Sequence, residues 1–246
     1  MFDIQNWRET SMNLWKKLSI TLLAGMLAFG SVASAVPANQ AVVQAAETYS
    51  YKTDKNNKTF KGDKCTITVK NYYKRIVLSG SSKAVASINK QLKRYSDEFM
   101  SKESGAFEYA SEDCNNRTAD DTYDDYVTQK VTYLSDDIIS IQTTSNWYAG
   151  GVGNTNVYGY TFNRKTGKLI KKITSVTKTT SLSSIKKTLK KSIKAKQFDP
   201  KELDNMKADD FQYYINSKGK VIVCFGPYAL GYGGWTKKFT LSGKYE

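Results

Sequence analysis

The stretch YVTQKVTYLSDDIISIQTT, Tyr126 to Thr144, decides the fold class. Tyr126 to Leu134 alternates, Ser135-Asp136-Asp137 turns the chain, and Ile138 to Thr144 runs back. Period-two alternation on both sides of a short polar turn is the pattern of an antiparallel hairpin. Two more hairpins follow downstream. Tyr158 to Phe162 leads into Asn163-Arg164-Lys165-Thr166-Gly167 and out through Leu169-Ile170; Tyr213-Tyr214-Ile215 leads into Asn216-Ser217-Lys218-Gly219 and out through Val221 to Phe225. A glycine in each of these two turns supplies positive φ without a steric cost.

Upstream, Cys65 to Val69 and Arg75 to Leu78 read as strands. Behind the Ser81-Ser82 cap, Ala84, Val85, Ile88, Leu92, Tyr95 and Phe99 recur at spacings of three and four, which predicts a helix over 82–102. Leu182, Ile185, Leu189 and Ile193 form a second helical stripe. The expectation is therefore an α+β fold, an antiparallel sheet of several hairpins with two main helices packed on it. With 40% hydrophobic residues and only three prolines, residues 47–246 read as one domain, divided at most into two lobes at 47–122 and 123–246.

The N-terminus reads as a targeting segment. Lys16 and Lys17 precede an uncharged apolar run from Leu18 to Phe29, and Ala33-Ser34-Ala35 is a small-x-small cleavage site. The run falls short of the roughly 20 residues of a comfortable membrane span. Residues 1–46 are thus expected to be a signal peptide and short N-terminal segment, with cuts after Ala35 or Ala46 and Met12 as a candidate start. Only an uncleaved signal segment would tie the chain to a membrane. Removing residues 1–35 takes Arg8, Lys16 and Lys17 against Asp3 and Glu9, so the net charge moves from +14 to +13. A secreted chain this basic suits anionic surroundings such as wall polymers, headgroups or acidic glycans. No helix-turn-helix, zinc-finger or RRM pattern supports a nucleic-acid partner.

The sequence contains no histidine, which excludes Ser-His-Asp and Cys-His catalysis and histidine-bearing metal hydrolase sites. No cofactor is expected. Gly150-Gly151-Val152-Gly153 lacks the following Lys-Ser/Thr of a phosphate loop. Glu112, Asp113, Asp120, Asp121, Asp124 and Asp125 form an acidic cluster without calcium-loop order; a small carboxylate-dependent exported hydrolase would have to draw its acid pair from such a cluster. Three cysteines suit an oxidising compartment as one bridge and one leftover. Cys224 sits in the apolar run Val221 to Phe225, which makes Cys65 with Cys114 the candidate bridge, against the alternative that all three are reduced.

From Arg164 to Lys196 there are twelve Lys or Arg and no acid. Lys186, Lys187, Lys190, Lys191 and Lys194 flank the apolar stripe of the second helix, either as a solvated face or as an electrostatic binding face. In SNWYAGGVGNTNVYGYTFNRKTGKLIKK, Ser145 to Lys172, Gly150 and Gly151 let the backbone bend where two strands meet, or contact a ligand directly. Tyr148, Tyr158, Tyr160, Tyr228, Tyr232 and Trp235, around glycine turns, are the aromatic binding candidates. Tyr158, Tyr160 and Phe162 share one strand face and so are all core or all displayed.

These residues carry a resemblance. Ser145-Asn146-Trp147-Tyr148-Ala149-Gly150-Gly151, then Phe162 to Leu169, and then Phe211 to Phe225 with Pro227 to Gly234, resemble in order the motifs of the RsiV-like extracellular domain family. The resemblance covers most of residues 48–243, with Gly153 where that family usually has a histidine. It implies an extracellular bacterial α+β domain without catalysis of its own. Such domains form the outer part of lysozyme-sensing anti-sigma factors and stand beside polysaccharide deacetylase domains. The implied partner is a cell-wall polymer or an extracellular protein, lysozyme among the latter.

Overall fold

The computed structural model describes residues 49–177, 181–196, 198–230 and 233–244. The expected signal segment and Tyr232 lie outside the described residues. The chain forms β1 (Tyr49–Lys55), β2 (Lys58–Lys61), β3 (Thr66–Leu78), α1 (Lys83–Met100), α2 (Gly105–Asn116), β4 (Asp121–Leu134), β5 (Ile138–Ala149) and β6 (Val152–Asn163). It continues through α3 (Leu182–Ala195), a 3-10 turn at Lys201–Asp204, β7 (Gln212–Ile215), β8 (Lys220–Phe225) and β9 (Lys237–Lys244). The fold is α+β: a six-stranded mixed sheet, a second sheet of three strands, and helices packed on them.

The hairpin of the opening stretch is β4–β5, with Thr128 opposite Thr144 and Val131 opposite Ile141. Ser135 closes its turn, the backbone N–H donating to Ile138 O at 2.9 Å and the hydroxyl accepting from Ile138 N–H at 3.2 Å. The Gly150–Gly151 corner is a tighter hairpin joining β5 to β6, with φ of +59° and +102°. Two consecutive positive φ values match the twist of paired strands, and glycine is the residue that adopts them freely. A Cβ on Gly150 would also crowd the ends of the Arg117, Asp113 and Tyr123 side chains, which would have to shift.

Two expectations change. The strands expected at 65–69 and 75–78 are one strand, β3, because β1 and β4 pair along the intervening residues. The sheet is also not wholly antiparallel: β3 and β4 run parallel, from Ile67 opposite Asp121 to Lys74 opposite Thr128. Parallel neighbours need a long crossover, and α1 with α2 supplies it. Pairing of β4 with both β3 and β5 carries the backbone ladder across position 122.

Helix α1 starts at Ser82, whose hydroxyl accepts from Val85 N–H at 3.1 Å. It lays Val85, Ile88 and Leu92 on Ile139, Ile141 and Phe162. Helix α2 lays Ala106, Phe107, Ala110 and Cys114 on Ile67, Val69 and Tyr123. The apolar stripe of α3 packs as its spacing requires, with Ile185, Leu189 and Ile193 buried against the second sheet. That sheet is joined to the first by buried hydroxyls. Ser140 Oγ accepts from Ile215 N–H at 2.8 Å and shares a 2.9 Å bond with Thr161 Oγ1, while Thr132 Oγ1 donates to Ile215 O at 2.7 Å.

All three cysteines are buried thiols, which corrects the expected Cys65–Cys114 bridge. The two residues are neighbours, but each sulfur is turned to a carbonyl. Cys65 Sγ donates to Cys114 O at 3.5 Å and Cys114 Sγ to Ser111 O at 3.3 Å. Burial pushes the Cys224 thiol up to about 12, which leaves almost no thiolate at neutral pH. Iodoacetamide should therefore leave the native protein unlabelled and label three cysteines once it is unfolded without reductant. Labelling of Cys224 alone would restore the bridge.

Candidate binding groove

The loop from Gly226 to Thr236 connects β8 to β9 and is sewn to the outer edge of β6. Thr155 N–H donates to Gly234 O at 2.7 Å, Thr236 N–H to Thr155 O at 3.0 Å, and Val157 N–H to the Thr236 hydroxyl at 2.6 Å. These bonds use edge donors and acceptors that a terminal strand otherwise leaves open. Gly234 must be bare here, since a Cβ would lie 2.8 Å from Gly153 O. Trp235 is thereby fixed opposite Thr155 with its ring turned outward, 62% exposed.

Beside Trp235 lies a groove of about 480 Å³. Lys196 and Phe198, just past the end of α3, form one wall; Trp235, Lys237, Lys238 and Phe239 form the other. Lys237 is only 7% exposed. Its Nζ donates to Trp235 O at 3.0 Å and Gly233 O at 3.4 Å, and stands 4.5 Å from the Trp235 ring and 5.6 Å from the Phe198 ring. Desolvation lowers its pKa. A cation between two rings, tied to the loop backbone, holds the indole in place. Lys196 reaches over Phe239 at 5.2 Å, and the Lys196 and Lys238 side chains are exposed. The groove thus combines a displayed indole with two ammonium groups, a pairing suited to a ligand with a flat or apolar body and an anionic group.

The other candidate residues are distributed as follows. Tyr228 lies on the same loop, 48% exposed, at a φ of +63° that is uncommon outside glycine. Tyr158 and Tyr160 do share a face, and that face is turned toward α1. Tyr160 stacks on Tyr95 at 4.3 Å and 8°, and Tyr158 meets Tyr160 edge-on at 5.6 Å, so both are packed rather than displayed. Tyr148 is half-buried against the α2 cluster and meets Tyr123 edge-on at 6.1 Å. Gly150 and Gly151 serve the β5–β6 turn.

Of the helix lysines, Lys187, Lys191 and Lys194 are exposed. Lys186 Nζ donates to Asp204 O at 3.0 Å and Lys190 pairs with the Asp204 carboxylate. The hydrogen bond from Lys190 holds that carboxyl below its usual range. Several members of the acidic cluster have structural partners. Arg117 bridges Asp113 at 3.2 Å and Asp121 at 3.4 Å, Asp113 also accepts the Tyr123 hydroxyl, and Asp120 accepts from Thr66 N–H at 2.7 Å. Sequence reasoning missed Lys196, Phe198, Lys237, Lys238 and Phe239. The run Trp235-Thr236-Lys237-Lys238-Phe239 carried the available signal, aromatics interleaved with lysines.

No protein-family model and no curated protein matches this sequence. Among solved structures, the fold is similar to that of a DUF3298 family protein from Pseudomonas aeruginosa PAO1, at 12% identity over 78% of this chain and 90% of that one, with a TM-score of 0.46. It is also similar to a DUF3298 family member from Bacteroides fragilis NCTC 9343, at 14% identity over 79% and 90% of the two chains, with a TM-score of 0.48. The likeness is one of fold.

Proposed function

We propose that this chain is an exported, non-catalytic binding domain of the cell envelope, of the RsiV-like kind, and that the groove between α3 and β9 takes its ligand. The observation that carries the reading is Trp235, displayed at 62% exposure yet held in place by Lys237 and the loop backbone. An exposed indole with a fixed orientation loses little freedom on binding, which favours recognition. The ligand is an anionic envelope polymer, drawn by the +13 charge that remains after residues 1–35 and by Lys196 and Lys238, with Lys187, Lys191 and Lys194 extending the basic surface along α3.

Binding of the secreted protein to isolated wall sacculi, with and without their anionic polymer, at two salt concentrations tests this. Trp235→Ala should weaken binding about tenfold at every salt concentration. Its melting temperature should stay within about 2 °C of wild type, as expected at a surface position. Lys196→Gln with Lys238→Gln should instead flatten the salt dependence. Unchanged binding in both variants would sink the groove. Retention on sacculi stripped of anionic polymer would point to a protein or neutral-glycan ligand.

A further inference from the structure

The six-stranded sheet has two faces: the helices α1 and α2 cover one of them, and β7 of the second sheet covers the β5–β6 end of the other, over Gly159. Side chains alternate along a strand, so the register sorts the residues. Val69, Asn71 and Tyr73 of β3 are buried on the helix side. Lys70, Tyr72 and Lys74 point the other way, together with Tyr51 and Lys55 of β1 and Asp124 and Tyr126 of β4. Contacts agree with this sorting. Tyr72 and Tyr126, directly opposite each other, stack at 4.8 Å and 6°, and Lys74 Nζ stands 4.8 Å over the Tyr51 ring.

We propose that this open face, at the β1–β3–β4 end of the sheet, is a second binding site for a linear phosphodiester polymer. Lys55, Lys70 and Lys74 are exposed, and among the described residues none of them is in an ion pair. Lys70 and Lys74 lie four residues apart on β3, about 13 Å along the strand, and Lys55 flanks Tyr72 on the neighbouring strand. The charges therefore form a row beside the tyrosine pair, with Asp124 as the acid on the same face.

Each tyrosine ring covers one face of the other, so the pair spends part of its aromatic surface on itself rather than on a ligand. Desolvation raises both tyrosine pKa values, so both groups are neutral hydroxyl donors at physiological pH. The row thus offers ammonium groups and hydroxyls. Lysine is a point charge that engages a phosphate oxygen from any direction, and the exposed cations in this row are lysines. Polyanion binding at exposed lysines also weakens linearly on a log–log plot against salt.

This site shares with the groove only the envelope setting, and the test separates them. Full-length protein is titrated with poly(glycerol phosphate) across a salt series, with polygalacturonate and phosphatidylglycerol vesicles as comparison arms. Wild type should bind the phosphodiester polymer more tightly than either comparison. The K55Q/K70Q/K74Q variant should lose affinity by on the order of a hundredfold at low salt and lower the salt slope by about two. The corresponding Lys→Arg triple should recover both, since it keeps the charge. Y72F/Y126F should lose affinity severalfold at an unchanged slope. Trp235→Ala should bind the polymer like wild type even though its binding to sacculi is weakened about tenfold. Wild-type affinity in the glutamine triple, or equal binding of polygalacturonate or vesicles, would overturn the proposal, as would no binding of the polymer by wild type.

Discussion

Gly159→Ala should melt roughly 6–12 °C below the wild-type protein, the shift expected for a loss of about 3 kcal/mol in a domain of this size. Gly159 lies in the middle of β6, paired with Gln142, where a strand residue ordinarily carries a side chain. Here the second sheet crosses directly over it. A Cβ at this position would lie 2.0 Å from Tyr213 O, 2.6 Å from Tyr213 C and 2.7 Å from Tyr214 Cβ. Two of these obstacles are backbone atoms of β7, so rotamer changes cannot relieve the overlap. Relief requires separating the sheets, which would strain the bonds from Ile215 to Ser140 and Thr132. Gly151, open to solvent, is the control for glycine loss without a clash, although its φ of +102° carries its own backbone strain. A Gly159→Ala melting temperature within 2 °C of wild type would show that the sheets are not seated as described.

Phe162→Ala should cost about 3–5 kcal/mol, the range for emptying a fully buried aromatic site. Phe162 is wholly buried in the cluster formed by α1 and the centre of the large sheet, beside Tyr160 at 6.4 Å. Its strand neighbour opposite is Ile139, and Leu169 bridges to it from the following turn. The ring therefore joins β5, β6, α1 and the 163–168 turn. Urea unfolding should move to lower midpoint with an unchanged slope if the core simply loses contacts. A destabilisation under about 1 kcal/mol would mean that α1 can close over the gap, and the packing of α1 on Ile139 and Ile141 would need to be redrawn.

The candidate site was half legible. Trp235 and Tyr228 stand out in the sequence as aromatics around glycine turns, which offer rigid stacking faces. Their display follows from the loop's bonds to Thr155 and Val157, about eighty residues earlier in the chain. Tyr158 and Tyr160 carried the same sequence signal and ended under α1, because alternation fixes that two residues share a face and says nothing about what covers it. Lys196 and Phe198 fall just past a helix end and meet Lys237 and Phe239 only through the folding of α3 onto the second sheet.

The sequence by itself determined the local elements. Period-two alternation set the β4–β5 and β7–β8 hairpins, glycine set the turns with positive φ, and three-and-four spacing set α1 and the buried stripe of α3. These are interactions between residues close in the chain, so a short window contains the information. Tertiary structure alone decided the parallel pairing of β3 with β4, the continuity of β3, the seating of β7 over Gly159, and the placing of Cys65 beside Cys114 as thiols. It also decided which strand face each helix covers. Each of these depends on partners distant in sequence, whose pairing is fixed by the packing of whole layers, and a pattern of apolar residues specifies that a face is buried without specifying against what.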